Sequence, residues 1–268
     1  MKFAFSTLGC PSWEWREILA AAKDLGYDGI EIRGIGKELY APHISYFCKE
    51  NLTATKEKLA SLGLEIPCLT SACHLFNEDE REKHLQIGYD YIDLADNLGT
   101  PYIRVMGDLS PQPQAEVDIA FVRENLLVLA DYAAKKSVTV LLESNGVFAD
   151  SFLLRELMES LDHPQVGVLW DVHHPYRFCL EKVEDTYGNL KPYIRYLHMK
   201  DSVMENEDVE YRTMGAGDIP NKTVLRLLAK DNFAGYVSLE WTKRWNKNLC
   251  EPGIVFPQFI NYARAAIK

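Results

Sequence analysis

The amino-acid sequence predicts one (β/α)8 barrel, a single domain over residues 1–268. Three observations predict it. Eight short β-branched or apolar runs alternate with longer stretches of helical periodicity. No Gly/Ser linker, charge block or low-complexity tract divides the chain, and 268 residues is ordinary for a barrel. The first turn reads Ser6-Thr7-Leu8-Gly9-Cys10 and lacks the G-x-G-x-x-G of a doubly wound sheet.

The strand-like runs are 2–6, 29–33, 65–70, 101–106, 138–143, 166–171, 194–198 and 236–240. Each has the length of a strand, and most end in a polar residue. The first helix, 13–25, puts Ile18, Leu19, Ala22 and Leu25 on one face, and Gly26 closes it. The second, 52–62, stops at Gly63, and the third, 79–98, stops at Gly99 with Pro101 beyond. Helices then follow at 115–136, 151–161 (before His163-Pro164), 180–190 (weakened by Gly188), 221–232 and 256–267.

Composition narrows the function classes. Net charge is −10, so a general nucleic-acid binder is disfavoured because such a surface repels phosphates. No apolar run reaches 18 residues, so no membrane span is expected, and the N-terminus reads poorly as a signal peptide. Six cysteines without a C-x-x-C point to reduced thiols and a cytoplasmic location.

Catalytic groups of a barrel sit at the C-terminal ends of its strands. Strand runs five to eight end in or carry Glu143, Asp171, His198 and Glu240. Consecutive parallel strands are neighbours, so these four tips share one quadrant of the mouth. Three carboxylates together repel unless a cation neutralises them. One imidazole with three carboxylates is a hard, oxygen-rich donor set, which suits Mn²⁺, Mg²⁺ or Co²⁺ better than structural zinc, although ligand type does not exclude Zn²⁺.

These residues carry a resemblance. The segments LLES at 141–144, WDVHH at 170–174, LHMKD at 197–201, GAGDIP at 215–220 and SLEW at 238–241 resemble the xylose-isomerase-like barrel superfamily of sugar and sugar-phosphate isomerases and epimerases. The opening FSTLG and DGIEIR at 28–33 fit as well, so the resemblance spans the chain. It implies that Glu143, Asp171, His198 and Glu240 ligate one divalent ion, Mn²⁺ first, and that Glu143 and Glu240 also serve as the acid/base pair. It implies a substrate-binding His174, three residues after Asp171, and a substrate-contacting Arg212 just before the GAGDIP loop. Lys200 shares the parity of His198, so its ammonium is expected at the mouth. His74, after the third strand, is a further candidate for hydrogen bonding to substrate.

The implied reaction starts from a ketose whose ketone lies beside a hydroxyl, and it passes through a metal-stabilised enediolate. Reprotonation on the opposite face is epimerisation, and reprotonation at the neighbouring carbon is aldose–ketose isomerisation. Loss of a β-hydroxyl is dehydration, as for an inosose or dehydroshikimate. The ligand set does not choose among them. A non-catalytic sugar-binding barrel is the remaining alternative. Endonuclease IV chemistry is disfavoured, because residues 104–107 and the segment SVMENEDVEYR after Asp201 lack the histidines of a three-metal site. The expected partner is a small carbohydrate, with a homo-oligomer left open.

Other polar and aromatic residues have plainer expectations. Glu31 and Arg33 share a parity and are expected to pair with each other. Arg104 is expected to neutralise Glu143 or to meet a substrate anion. Trp13 and Trp241 are expected beside the mouth, with Trp245 as a wall and Trp15 packed in the core. Lys243 and Arg244, just past the eighth strand, could hold a phosphate, with a solvated face as the commoner reading of two basic loop residues. His173, of opposite parity to His174, is expected to be structural.

Overall fold

The computed structural model describes residues 1–114 and 116–268. Its strands are β1 (Lys2–Ser6), β2 (Gly29–Glu31), β3 (Cys68–His74), β4 (Tyr102–Met106), β5 (Thr139–Glu143), β6 (Val166–Asp171), β7 (Ile194–Met199), β8 (Asp201–Glu205), β9 (Asp208–Arg212) and β10 (Tyr236–Leu239). Eight of them form a parallel sheet in the order β2-β1-β10-β7-β6-β5-β4-β3. The seam between β2 and β3 is nearly closed by bridges from Gly29 to Glu65 and from Ile32 to Leu69. Backbone bonds add to it, from Ile30 N to Glu65 O (2.9 Å) and from Thr70 N to Ile32 O (2.9 Å). This is the predicted (β/α)8 barrel.

The helices are α1 (Trp15–Leu25), α2 (Leu52–Leu62), α3 (Arg81–Leu98), α4 (Ile119–Ala134), α5 (Ser151–Leu161), α6 (His173–Phe178), α7 (Val183–Leu190), α8 (Asn221–Lys230) and α9 (Pro252–Ala266). Their starts are set by local chemistry. Glu14 and Glu17 form a capping box on α1, and the Asp150 carboxylate accepts from the amides of Phe152 and Leu153 at the start of α5. A cap of this kind contributes about 1 kcal/mol.

Two layers of core follow from strand alternation. One face of each strand packs on the helices, as Val105, Leu142, Val168 and Leu197 do. The other face fills the barrel. Its lower layer is Ala4, Cys68, Leu141, Leu169, Tyr196 and Tyr236, all buried. Two residues further along the same strands the filling turns polar, to Glu143, Asp171, His198 and Ser238. An apolar plug therefore supports a polar floor at the C-terminal mouth.

Several boundaries differ from the sequence expectation. The third strand starts at Cys68 rather than 65, because Pro67 has no amide to give, and it runs on to His74. The helix expected over 115–136 spans Ile119–Ala134, with Asp118 capping the amide of Phe121, and Ala115 lies outside the described residues. The helix expected over 180–190 starts at Val183, since Leu180 has φ +56. The short helix α6 directly follows β6 and Val172. The segment after Asp201 is an antiparallel hairpin, β8–β9, and its tip residues Asn206 and Glu207 both have positive φ. Among the described residues, no helix is long and apolar enough to cross a membrane.

Candidate active site

The strands β5, β6, β7 and β10 are consecutive neighbours in the sheet, so their C-terminal ends meet. Glu143, Asp171, His198 and Glu240 each present one ligand atom, and these atoms all lie within 4.8 Å of one another. His198 Nδ1 is 3.5 Å from Glu143 Oε1, 3.4 Å from Glu240 Oε1 and 3.9 Å from Asp171 Oδ2. All four residues are buried.

Buried carboxylates are costly unless they are paired. Arg104 Nε stands 3.1 Å from Glu143 Oε2, which is the neutralising role expected of that arginine. The Lys200 ammonium bonds both Asp171 and Glu240, so Lys200 stands inside the cluster itself. Burial pushes the Glu143 carboxyl up, but Arg104 and His198 outweigh it and hold it at about 2. Burial likewise raises Glu240, and Lys200 and His198 outweigh it, keeping that carboxyl well below the usual range. Both glutamates are therefore carboxylates at neutral pH.

A fourth acid completes the cluster. Glu31 Oε2 lies 3.0 Å from His198 Nε2, on the side away from the other three carboxylates. The expected Glu31–Arg33 pair does not form. Glu31 crosses the barrel interior to the histidine, and Arg33 stays at the rim. A histidine that gives its outer N–H to a carboxylate offers its other nitrogen as a ligand in a fixed orientation. His198 Nδ1 is such a nitrogen. It is buried, makes no hydrogen bond and faces three carboxylate oxygens. An orphaned imidazole nitrogen amid anionic oxygens fits a hard divalent cation, so the cluster could hold a metal ion.

The remaining predicted residues divide into two groups. A cavity of about 350 Å³ opens over the cluster and is lined by His74 and His174 as well as by Glu143, Lys200 and Glu240. His174 Nδ1 is 3.1 Å from the Ser144 carbonyl, which can only accept, so Nδ1 carries the proton. Its Nε2 then presents a lone pair 3.5 Å from Asp171 Oδ2. The Nδ1 of His74 is buried without a partner. Burial, followed by the Arg104 charge, lowers its pKa to about 4.

Arg212 is not among the cavity-lining residues. It is held by Glu205 and Glu210 within the hairpin, and its neighbour Tyr211 lines the cavity instead. Trp245 is the tryptophan at the mouth. Trp241 sends its indole N–H to the Cys250 carbonyl (3.0 Å), and Trp13 packs edge-on against Phe256. Lys243 is spent on the carbonyls of Lys247 and Leu249 and on Glu251. His173 Nε2 is 2.9 Å from Ser202 Oγ.

The family model described as xylose isomerase-like TIM barrel matches residues 19–255. This chain belongs to that family. Among curated proteins, fructoselysine 3-epimerase of Shigella flexneri is 23% identical over 280 residues, covering 100% of this chain and 98% of its own. The solved structure of the probable 3-DHS dehydratase AsbF from Bacillus anthracis superposes with a TM-score of 0.79 at 17% identity, covering 98% of this chain and 99% of that one. D-psicose 3-epimerase with D-tagatose from Clostridium cellulolyticum H10 gives 0.78 at 16% identity, with full coverage of both chains. At such identities the superpositions show the shared fold.

One motif of this xylose isomerase-like barrel has a structural task. The Asp201 carboxylate accepts from the amides of Ser202 (3.0 Å), Gly215 (2.7 Å), Gly217 (3.2 Å) and Ile219 (3.3 Å). The GAGDIP loop is thus wrapped around one buried acid. A Cβ on Gly217 would stand 2.1 Å from Asp201 Oδ1, so only glycine fits there. Asn221, just past the loop, donates to the Lys200 carbonyl (3.1 Å), which ties the loop to the residue beneath the cavity.

Proposed function

We propose that this chain is a divalent-metal-dependent isomerase or epimerase of a ketose, with Glu143 and Glu240 as its acid/base pair. The observation that carries this reading is the placement of the two glutamates. Their Oε1 atoms stand 3.5 and 3.4 Å from the same His198 nitrogen, and both line the one cavity over the cluster. The relatives that act on ketoses support it. Glu143, Asp171, His198 and Glu240 would hold the ion, Mn²⁺ first by their hard oxygen donors, with Mg²⁺, Co²⁺ or Zn²⁺ as the other choices. When bound, such an ion supplies Lewis acidity to a substrate carbonyl, which makes the adjacent C–H acidic.

The protein's own groups then manage the proton. A glutamate held as a carboxylate is ready to take it from carbon. Glu240 takes the proton when one epimer is the substrate and, with the Lys200 ammonium bonded to it, returns one to the other face of the same carbon when the opposite epimer reacts. His174 lines the cavity, and its unprotonated Nε2 would accept a hydrogen bond from a substrate hydroxyl, while His74 lies on the cavity wall. Inversion at one carbon is the outcome. The chemistry of six unpaired thiols and the absence of a membrane helix among the described residues agree with a cytoplasmic enzyme.

Dehydration of a cyclic polyol ketone is the second reading. Lys200 favours it, since an ammonium beside the proton-taking carboxylates could protonate a departing hydroxyl. One experiment tests both. Ketoses, ketose phosphates and cyclic polyol ketones are incubated with the protein and Mn²⁺ in deuterated water. Deuterium uptake at one carbon without loss of water supports the isomerase, and a product lighter by one water supports the dehydratase. No uptake and no loss with any substrate would refute both.

A further inference from the structure

Four buried acids surround the centre, and each is already engaged: Glu31 by His198, Glu143 by Arg104, and Asp171 and Glu240 by Lys200. One more cation lines the same cavity, and it has no such partner. Arg33 follows β2 at the rim, and no carboxylate lies within 4.0 Å of it among the described residues. Its guanidinium makes one weak bond, from Nη1 to the Leu39 carbonyl at 3.3 Å. Arg33 lines the cavity, and its other guanidinium N–H groups make no hydrogen bond among the described residues.

The position is built. Thr7 Oγ1 accepts from the amides of Arg33 (3.0 Å) and Gly34 (3.3 Å), pinning the backbone under the side chain. The guanidinium lies 5.8 Å from the ring centroid of Trp245, which leaves its edge open for a planar or tetrahedral anion. Burial, then the nearby Arg104, push against its charge, and Arg244 adds to the repulsion. Arg244 itself has Nε and Nη2 buried without partners. Arg33 and Arg244 therefore both stand on this side without a carboxylate within 4.0 Å among the described residues.

We propose that Arg33 anchors an anionic group, a phosphate or a carboxylate, on the substrate. The inference rests on the isomerase reading above and narrows it, so that the ketose acted on is an acidic derivative rather than a neutral sugar. The cavity of about 350 Å³ is at the small end for ligand sites and suits one monosaccharide with one charged group. Arg104 and Lys200 are poor anchors in its place, because each is committed to a carboxylate.

The test is binding, followed by quenching of tryptophan fluorescence and by calorimetry. The ligands are neutral ketohexoses, their terminal phosphates, their C6 carboxylates and inorganic phosphate. Acidic ketoses should bind about tenfold or more tighter than the neutral sugar, the range of a charge-assisted pair. Arg33→Gln should erase that preference while leaving neutral-sugar affinity little changed, and Arg33→Lys should keep part of it. Whichever acid is preferred names the group, and both results support the anchor. Equal binding of neutral and acidic ketoses by the unaltered protein would overturn it, as would an undiminished preference in a folded Arg33→Gln. Deuterium exchange on the same ligands separates the two claims. Exchange with no preference for acids removes the anchor alone, and Arg33-dependent binding without any exchange removes the isomerase reading alone.

Discussion

Glu31 and His198 lie 167 positions apart in the chain, yet Glu31 Oε2 stands 3.0 Å from His198 Nε2 in a fully buried pair. The contact exists only because the barrel closes. It aims the opposite nitrogen of the imidazole at Glu143, Asp171 and Glu240. Burial disfavours charge on His198, but Glu31 and Glu240 outweigh it and raise its pKa well above the ordinary value. A metal ion would have to displace that proton from Nδ1.

Removing Glu31 should therefore weaken metal binding without touching a ligand. Glu31→Gln is expected to lower divalent-ion affinity by about 10- to 100-fold, the usual effect of losing a carboxylate behind a ligating histidine. Calorimetric titration with Mn²⁺ measures it. An affinity equal to that of the parent protein would show that Glu31 does not orient His198.

The acid/base assignment has its own test. Glu240→Gln keeps the shape of the side chain and removes its basicity. Exchange of the substrate's α-hydrogen with solvent should fall by about 10²- to 10⁴-fold. Proton NMR in deuterated water follows the exchange directly. Circular dichroism should show the fold retained, because the amide can still accept from Lys200. Normal exchange in this variant would sink the two-carboxylate mechanism.

The sequence carries much of this site, and its gaps have physical causes. Alternation along β5, β6 and β7 places Glu143, Asp171, His198 and Lys200 inside, because parity on a strand is a local property. The order of parallel strands follows from chain order, so their meeting point was legible too. Glu31 was not, since its partner comes from across the barrel while Arg33 offers a nearer one in sequence. The hairpin hid Tyr211 for a different reason. Its two-residue turn is Asn206-Glu207, without the glycine that marks most such turns. Arg212 then misses the cavity by a single residue of strand alternation, with Tyr211 turned inward in its place. Trp245 sits in a loop, where no periodicity assigns direction.

The GAGDIP loop should be intolerant of a single methyl group. Gly217→Ala drives a Cβ into the Asp201 carboxylate, 2.1 Å away, and the backbone must move to relieve it. A loss of about 1–3 kcal/mol is expected, as for other overpacked positions. Urea unfolding at neutral pH measures it. Because Asn221 binds the Lys200 carbonyl from the end of this loop, activity should fall with stability. A fully stable and active variant would show that the Asp201 bonds are dispensable.

Acid sensitivity has one source that can be isolated away from the carboxylate cluster. Burial, then the Arg104 charge, depress the His74 pKa to about 4, below its ordinary 6.5. Between those values the unfolded chain binds a proton that the native state refuses. Stability therefore rises with pH across this window, and it falls as the pH drops from 6.5 toward 4. His84, His173 and His174, also depressed by burial, act in the same direction. His74→Asn removes one of the four, so the stability lost between pH 7 and pH 5 should shrink by about 1 kcal/mol, after allowance for the partial exposure of the ring. Urea denaturation of both proteins at the two pH values gives the difference. An identical loss in the variant would mean that His74 titrates normally in the folded protein and that its ring is open to water.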